Sequence, residues 1–96
     1  GLVAKVEETG AWFGKKLARL AKRCPAVLEV RGAGLIRGIE LDREAGPIQK
    51  QLLAKGFVVG TARKTVIRLL PPYVIPKAAL SAFLNALEET LKEGAA

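Results

Sequence analysis

Apolar residues recur every three or four positions at both ends of this chain, and between the ends they fall into short runs bounded by glycine and proline. A helical period flanking strand-like runs restricts the fold to mixed α and β structure, in which helix stripes and one sheet face are buried against each other. At the N-terminal end the stripe is Leu2, Val6, Phe13, Leu17, Leu20 and Cys24, which predicts an amphipathic helix over about 2–23. Cys24 precedes a proline, and the pre-proline position stops the helix there. Gly10 and Gly14 each cost that helix about 1 kcal/mol relative to alanine, which points to a kink or to close packing of another segment. At the far end Pro76 opens a helix that buries Leu80, Phe83, Leu84, Leu87 and Leu91 and ends near Gly94.

Between these helices "AVLEVR" (26–31) alternates, with Ala26, Leu28 and Val30 on one face and Glu29 and Arg31 on the other. "GAG" makes a turn and "LIRGIEL" (35–41) returns as a second strand, a hairpin. The glycines at 32, 34 and 38 do not form a dinucleotide loop, because Arg37 holds the third glycine position and a strand follows in place of a helix. Pro47 opens a short helix, "PIQKQLLAK", with Ile48 and Leu52 on one face and Gly56 as its stop. "FVV" (57–59) and "TVIRLL" (65–70) are expected strands joined by the loop "GTARK", and Pro71-Pro72 ends the second. The order α-β-β-α-β-β-α defines an α+β class: a small, mainly antiparallel sheet of three to four strands covered by helices, in a single domain over 1–96.

The residue inventory narrows the chemistry. The chain has no His, one Cys, one Ser (Ser81), one Asp (Asp42) and one Asn (Asn85). It cannot by itself assemble a Ser-His-Asp or Cys-His site, nor a metal site built on His or several Cys. No catalytic residue and no metal ligand is assigned. The lone cysteine fits a reducing, cytoplasmic setting, and no apolar run approaches the ~20 residues that span a bilayer. "GLVAKVEETG" reads as the middle of a helix with no capping residue before Leu2, so the expectation is a piece cut from a longer protein.

The residue that asks for a function is Arg68, set inside the most apolar run, "VIRLLPPYVI" (66–75). By alternation Val66, Arg68 and Leu70 share one sheet face, and Ile67 and Leu69 take the other. Two readings stand on physics alone. The arginine stem packs on the sheet while its head reaches water, or a guanidinium on a rigid strand grips a carboxylate or phosphate through two parallel bonds.

"VRGAGLIRGIEL", then "GFVV…TVIRLLPPYVI" and a closing amphipathic helix, resemble the C-terminal small domain of class III aminotransferases, fold-type I enzymes dependent on pyridoxal phosphate, and most of all the acetylornithine aminotransferase branch. The resemblance runs along nearly the whole chain. It implies that Arg68 binds the substrate α-carboxylate, and that Gly32 and Gly34 serve a permissive backbone turn. It further implies that the Schiff-base lysine and the rest of the cofactor site belong to a large domain upstream, that the intact enzyme is a homodimer, and that this part alone is inactive. The implied substrates are acetylornithine or a related ω-substituted amino acid with 2-oxoglutarate. The chain departs from the family at Arg63, Lys64 and Thr65, where Gly or Asn is frequent, at Ile75-Pro76-Lys77 in place of a capping box, and at Tyr73, where an aliphatic residue is usual.

The net charge of +7 supports an alternative, a small basic nucleic-acid-binding module, with Lys15, Lys16, Arg19, Lys22 and Arg23 near Trp12. Against it, the basic residues are scattered over several elements and the aromatics are few. A third reading, a pure assembly domain, rests on apolar surface that a missing partner would cover.

Overall fold

The computed structural model describes residues 2–71 and 75–94, with side chains from residue 4 to residue 93 outside that gap. The elements are α1 (Leu2–Arg23), β1 (Val27–Ala33), β2 (Ile36–Leu41), α2 (Ala45–Ala54), β3 (Gly60–Ala62), β4 (Val66–Leu69) and α3 (Lys77–Gly94). The strands form one sheet in the order β1-β2-β4-β3, every neighbouring pair antiparallel. This is the expected α+β arrangement. Tyr73 lies outside the described residues.

The core forms where the helix stripes meet the inner face of the sheet. Phe13, Leu17 and Leu20 from α1, Ile39 and Ile67 from the central strands, and Leu87 from α3 are fully buried in one cluster. At about 25 cal/mol per Å2 of apolar surface removed from water, each such side chain contributes roughly 1.5–3 kcal/mol. Thr90 is buried among them without cost, because its hydroxyl donates to the Ala86 carbonyl at 2.7 Å and accepts from Lys55 Nζ at 2.8 Å. Arg23 ties the end of α1 to Glu88 on α3 at 3.1 Å.

The two glycines of α1 mark close packing and not a kink. A Cβ on Gly10 would lie 2.7 Å from the Cα of Gly34 in the β1–β2 turn, and one on Gly14 would lie 2.8 Å from a guanidinium nitrogen of Arg37. Arg37 fills this notch. It donates to the carbonyls of Gly34 at 2.8 Å, Gly32 at 3.1 Å and Gly10 at 3.2 Å, and so staples the hairpin to the helix. The hairpin turn itself needs Gly34, whose φ of +59° falls in the left-handed region.

Four expectations need correction. β1 extends to Ala33, so the turn is Gly34-Leu35 and not the whole of "GAG". Leu28 is not on the core face: the ladder pairs Val27 with Leu41 and Glu29 with Glu40, and the irregularity between them breaks the alternation, leaving Leu28 62% exposed. The third strand is 60–62 and not "FVV", because α2 takes the backbone groups of that run. Phe57 N–H donates to the Leu52 carbonyl at 2.9 Å, and the Val59 carbonyl accepts from Gln49 Nε2 at 2.8 Å. Finally, α2 begins at Ala45, two residues before Pro47, since the Ala45 N–H finds its partner outside the helix in the Lys64 carbonyl at 2.7 Å. Pro76 in turn caps α3 with its carbonyl, which accepts from Ala79 and Leu80.

Candidate functional site

The outer face of the sheet carries Glu29, Arg31, Glu40 and Arg68, and the register fixes who stands beside whom. Arg31 on β1 pairs with Gly38 on β2, Gly38 pairs with Arg68 on β4, and Arg68 pairs with Gly60 on β3. Arg68 is therefore flanked on both sides by residues without side chains. Its own Cβ lies only 3.7 Å from where a Cβ on Gly60 would be, which sets both on the same face. The neighbours on the inner side, Ile67 and Leu69, are buried in the core and hold the strand that aims it. Val66, on the outer face with Arg68, is buried yet stands apart from the core cluster.

Among the described residues the Arg68 guanidinium has no hydrogen-bond or ion-pair partner, and the residue is exposed. This contrasts with the other arginines near it. Arg31 lies 2.8 Å from Glu40 and 3.3 Å from Glu29, and Arg37 is held by carbonyls. Glu40 has one more partner: its second carboxylate oxygen accepts a short hydrogen bond from the Thr65 hydroxyl. The Thr65 hydroxyl, the Arg31 guanidinium and the nearby charge of Arg63 hold the Glu40 carboxyl below its ordinary range, against a smaller opposing effect of desolvation. The face is thus one fixed carboxylate cluster beside one uncommitted guanidinium.

Ile36 and Leu70, each one step beyond the Arg37–Leu69 pair on the face of Arg68, are 65% and 64% exposed. Nearby, an apolar groove of about 520 Å3 opens at the end of β4, lined by residues that include Phe57, Val58, Leu70, Pro71 and Phe83. Arg68 does not line it. Among the described residues no lysine is buried, no cluster of His, Cys, Asp and Glu could hold a metal ion, and no helix is long and apolar enough to cross a membrane. Sequence reasoning singled out Arg68 but not Gly38 and Gly60, whose importance comes from register, nor the Arg31–Glu40–Thr65 cluster. Register sets Arg31 and Glu40 on one face, whereas alternation would turn Thr65, just before β4, toward the face of Ile67, so its hydrogen bond to Glu40 was not readable from the strand pattern.

What the face can do follows from its parts. A rigid strand presents a planar donor fork with open space on either side and apolar surface adjacent, an arrangement suited to a small carboxylate-bearing molecule. The comparisons with known proteins give the family. Residues 1–91 match the family model described as aminotransferase class-III. Over 89 residues the chain is 40% identical to the acetylornithine aminotransferase of Methanocaldococcus jannaschii, covering 93% of this chain and 22% of that protein. It is 36% identical over 91 residues to ornithine aminotransferase 1 of Staphylococcus aureus, covering 95% and 23%. The structure of the lysine aminotransferase from M. tuberculosis superposes on 96% of this chain with a TM-score of 0.88 at 28% identity, and 22% of that chain is covered. The chain belongs to the class III aminotransferases. It spans between a fifth and a quarter of the length of these relatives.

Proposed function

We propose that this chain is the C-terminal small domain of a pyridoxal-phosphate-dependent transaminase that acts on acetylornithine or a related ω-substituted amino acid with 2-oxoglutarate, and that Arg68 binds the substrate α-carboxylate. The observation that carries the reading is the guanidinium of Arg68, without a partner among the described residues and held between Gly38 and Gly60 on the outer sheet face. The names of the relatives, acetylornithine and ornithine aminotransferase, support the substrate class.

The residues of this chain do not fit the cofactor by themselves. Every lysine among the described residues is exposed or half-exposed, and Lys55, Lys77 and Lys92 face glutamates. The cofactor therefore belongs, in this reading, to the large domain of the intact homodimeric, cytoplasmic enzyme, where it supplies an electron sink. This chain contributes orientation. Two parallel N–H···O bonds from Arg68 fix the carboxylate plane, and the apolar side chains of Ile36 and Leu70 exclude water once the site is closed. Alone, the chain is inactive.

Replacing Arg68 by lysine in the full-length protein tests the role. Loss of the bidentate geometry is expected to raise KM for amino acid and oxo acid by roughly ten- to hundredfold, with cofactor absorbance unchanged. Unaltered kinetics would remove Arg68 from the site. The nucleic-acid alternative has less support, since Arg23, Arg31 and Arg43 face carboxylates of the same chain. Trp12, its one candidate stacking ring at the basic helix, already carries the ammonium groups of Lys16 and Lys77 at 5.7 and 5.6 Å.

A further inference from the structure

Glu40 has two arginines within reach. It lies two residues along β2 from Gly38, and Gly38 stands directly between Arg31 on one side and Arg68 on the other. Both arginines are thus diagonal neighbours of Glu40 on the outer face, at a spacing of about 7–8 Å that long side chains bridge readily. Both carboxylate oxygens are engaged: Oε1 accepts from Arg31 Nη2 at 2.8 Å on the β1 side, and Oε2 accepts from Thr65 Oγ1 at the β4 end. Nothing in the strand geometry forbids the opposite choice, in which Glu40 would occupy the donor fork of Arg68.

We propose that Arg31 is a positioning residue for the carboxylate site: by holding Glu40 on the β1 side it keeps the Arg68 guanidinium free for substrate. The inference rests on the carboxylate-binding role assigned to Arg68 above. Three features on the outer face favour it. Glu29 and Glu40 stand directly opposite each other, a like-charge pair that repels unless a cation bridges it. Arg31 is that bridge, in contact with both carboxylates. Remove it, and the repulsion drives Glu40 away from β1, toward Arg68. Thr65 anchors the second oxygen at the β4 end, so the carboxylate needs only to swing about that anchor to change partners. The competitor and the substrate carry the same chemical group, a carboxylate, so occupancy by one excludes the other.

The experiment uses the full-length holoenzyme with Arg31→Gln, Glu40→Gln, the double variant and Arg68→Gln. The readouts are KM and kcat for acetylornithine and 2-oxoglutarate, and equilibrium binding of glutarate, a dicarboxylate that cannot react. Arg31→Gln is expected to weaken glutarate binding and raise both KM values at least about threefold, as an ion pair on an exposed face allows, with kcat little changed. The double variant Arg31→Gln, Glu40→Gln, which lacks the competing charge, is expected to regain wild-type affinity. That recovery excludes misfolding as the cause. No loss in Arg31→Gln, or a loss that Glu40→Gln does not rescue, overturns the positioning role and leaves the Arg68 reading intact. If Arg68→Gln itself leaves glutarate binding and KM unchanged, the carboxylate-site reading fails, and this inference fails with it.

Discussion

Gly38 lies directly across the ladder from Arg68, and no side chain intervenes between them. A Cβ at Gly38 would make only an ordinary contact, 3.6 Å from a methyl of Val66. Gly38→Ala is therefore expected to fold and to gain about 0.5–1 kcal/mol through reduced chain entropy. A larger residue such as leucine would lie along the Arg68 stem and occupy the open space. It is expected to raise KM for carboxylate substrates with little effect on the urea midpoint. Equal stability losses for alanine and leucine would mean that the glycine serves packing and not access.

Gly10 and Gly46 separate two kinds of helical glycine. Gly10 abuts backbone at 2.7 Å, whereas a Cβ on Gly46 would meet nothing within 4 Å. The same change to alanine should therefore have opposite signs. Gly46→Ala is expected to stabilise by up to about 1 kcal/mol, and Gly10→Ala to destabilise by roughly 1–3 kcal/mol, because the hairpin must move off the helix. Urea titrations of the two variants check this, and a Gly10→Ala protein as stable as the parent would refute the notch.

Arg63 adopts φ +55° in the turn between β3 and β4, a left-handed conformation that costs a side-chain-bearing residue roughly 1–2 kcal/mol. The resemblance noted from sequence has Gly or Asn frequent in this turn, which fits the backbone found. Arg63→Asn is expected to raise the melting temperature. The same change removes a cation that holds the Glu40 carboxyl down, so the Glu40 pKa should move up toward its ordinary value of 4.5. Carboxyl NMR titration of the variant would show that shift, and no movement would mean that Arg63 exerts no field on the cluster.

Helices α1 and α3 were legible because each carries a continuous apolar stripe and ends at proline or glycine. Arg68 was legible as an outward residue because Ile67 and Leu69 alternate with it. What misled was local chemistry that periodicity does not register. "FVV" is apolar and β-prone, yet Gln49 and Leu52 of α2 satisfy its backbone, so the strand forms three residues later where Gly60 can pair with Arg68. Leu28 fits an alternating strand until the irregularity after Val27 turns it outward. The places of Gly38 and Gly60 beside Arg68, and of Glu29 opposite Glu40, are facts of register. A linear pattern shows which face a residue takes, but not which residue stands opposite.

Glu88 supplies a pH test of the helix packing. The hydrogen bonds and charge of Arg23, with Lys92 behind it, hold the Glu88 carboxyl below its ordinary 4.5, against the opposing effect of partial burial. A depressed folded-state pKa means that the folded chain binds fewer protons than the unfolded chain in the interval between the two values. The pairing therefore contributes fully above pH 4.5 and is lost as pH falls below it toward the folded-state pKa. Glu88→Gln removes the titration while keeping the shape of the side chain. At pH 7 the variant is expected to be less stable than the parent by about 1 kcal/mol or less, since the Arg23 side chain is half exposed and solvent screens the pair. The difference should shrink as both proteins are taken to pH 3, because the parent carboxylate is then increasingly protonated too. Urea midpoints measured between pH 7 and pH 3 would show the two curves converging. A constant offset across that range would mean that Arg23 and Glu88 hold α1 to α3 by shape alone, without their charges.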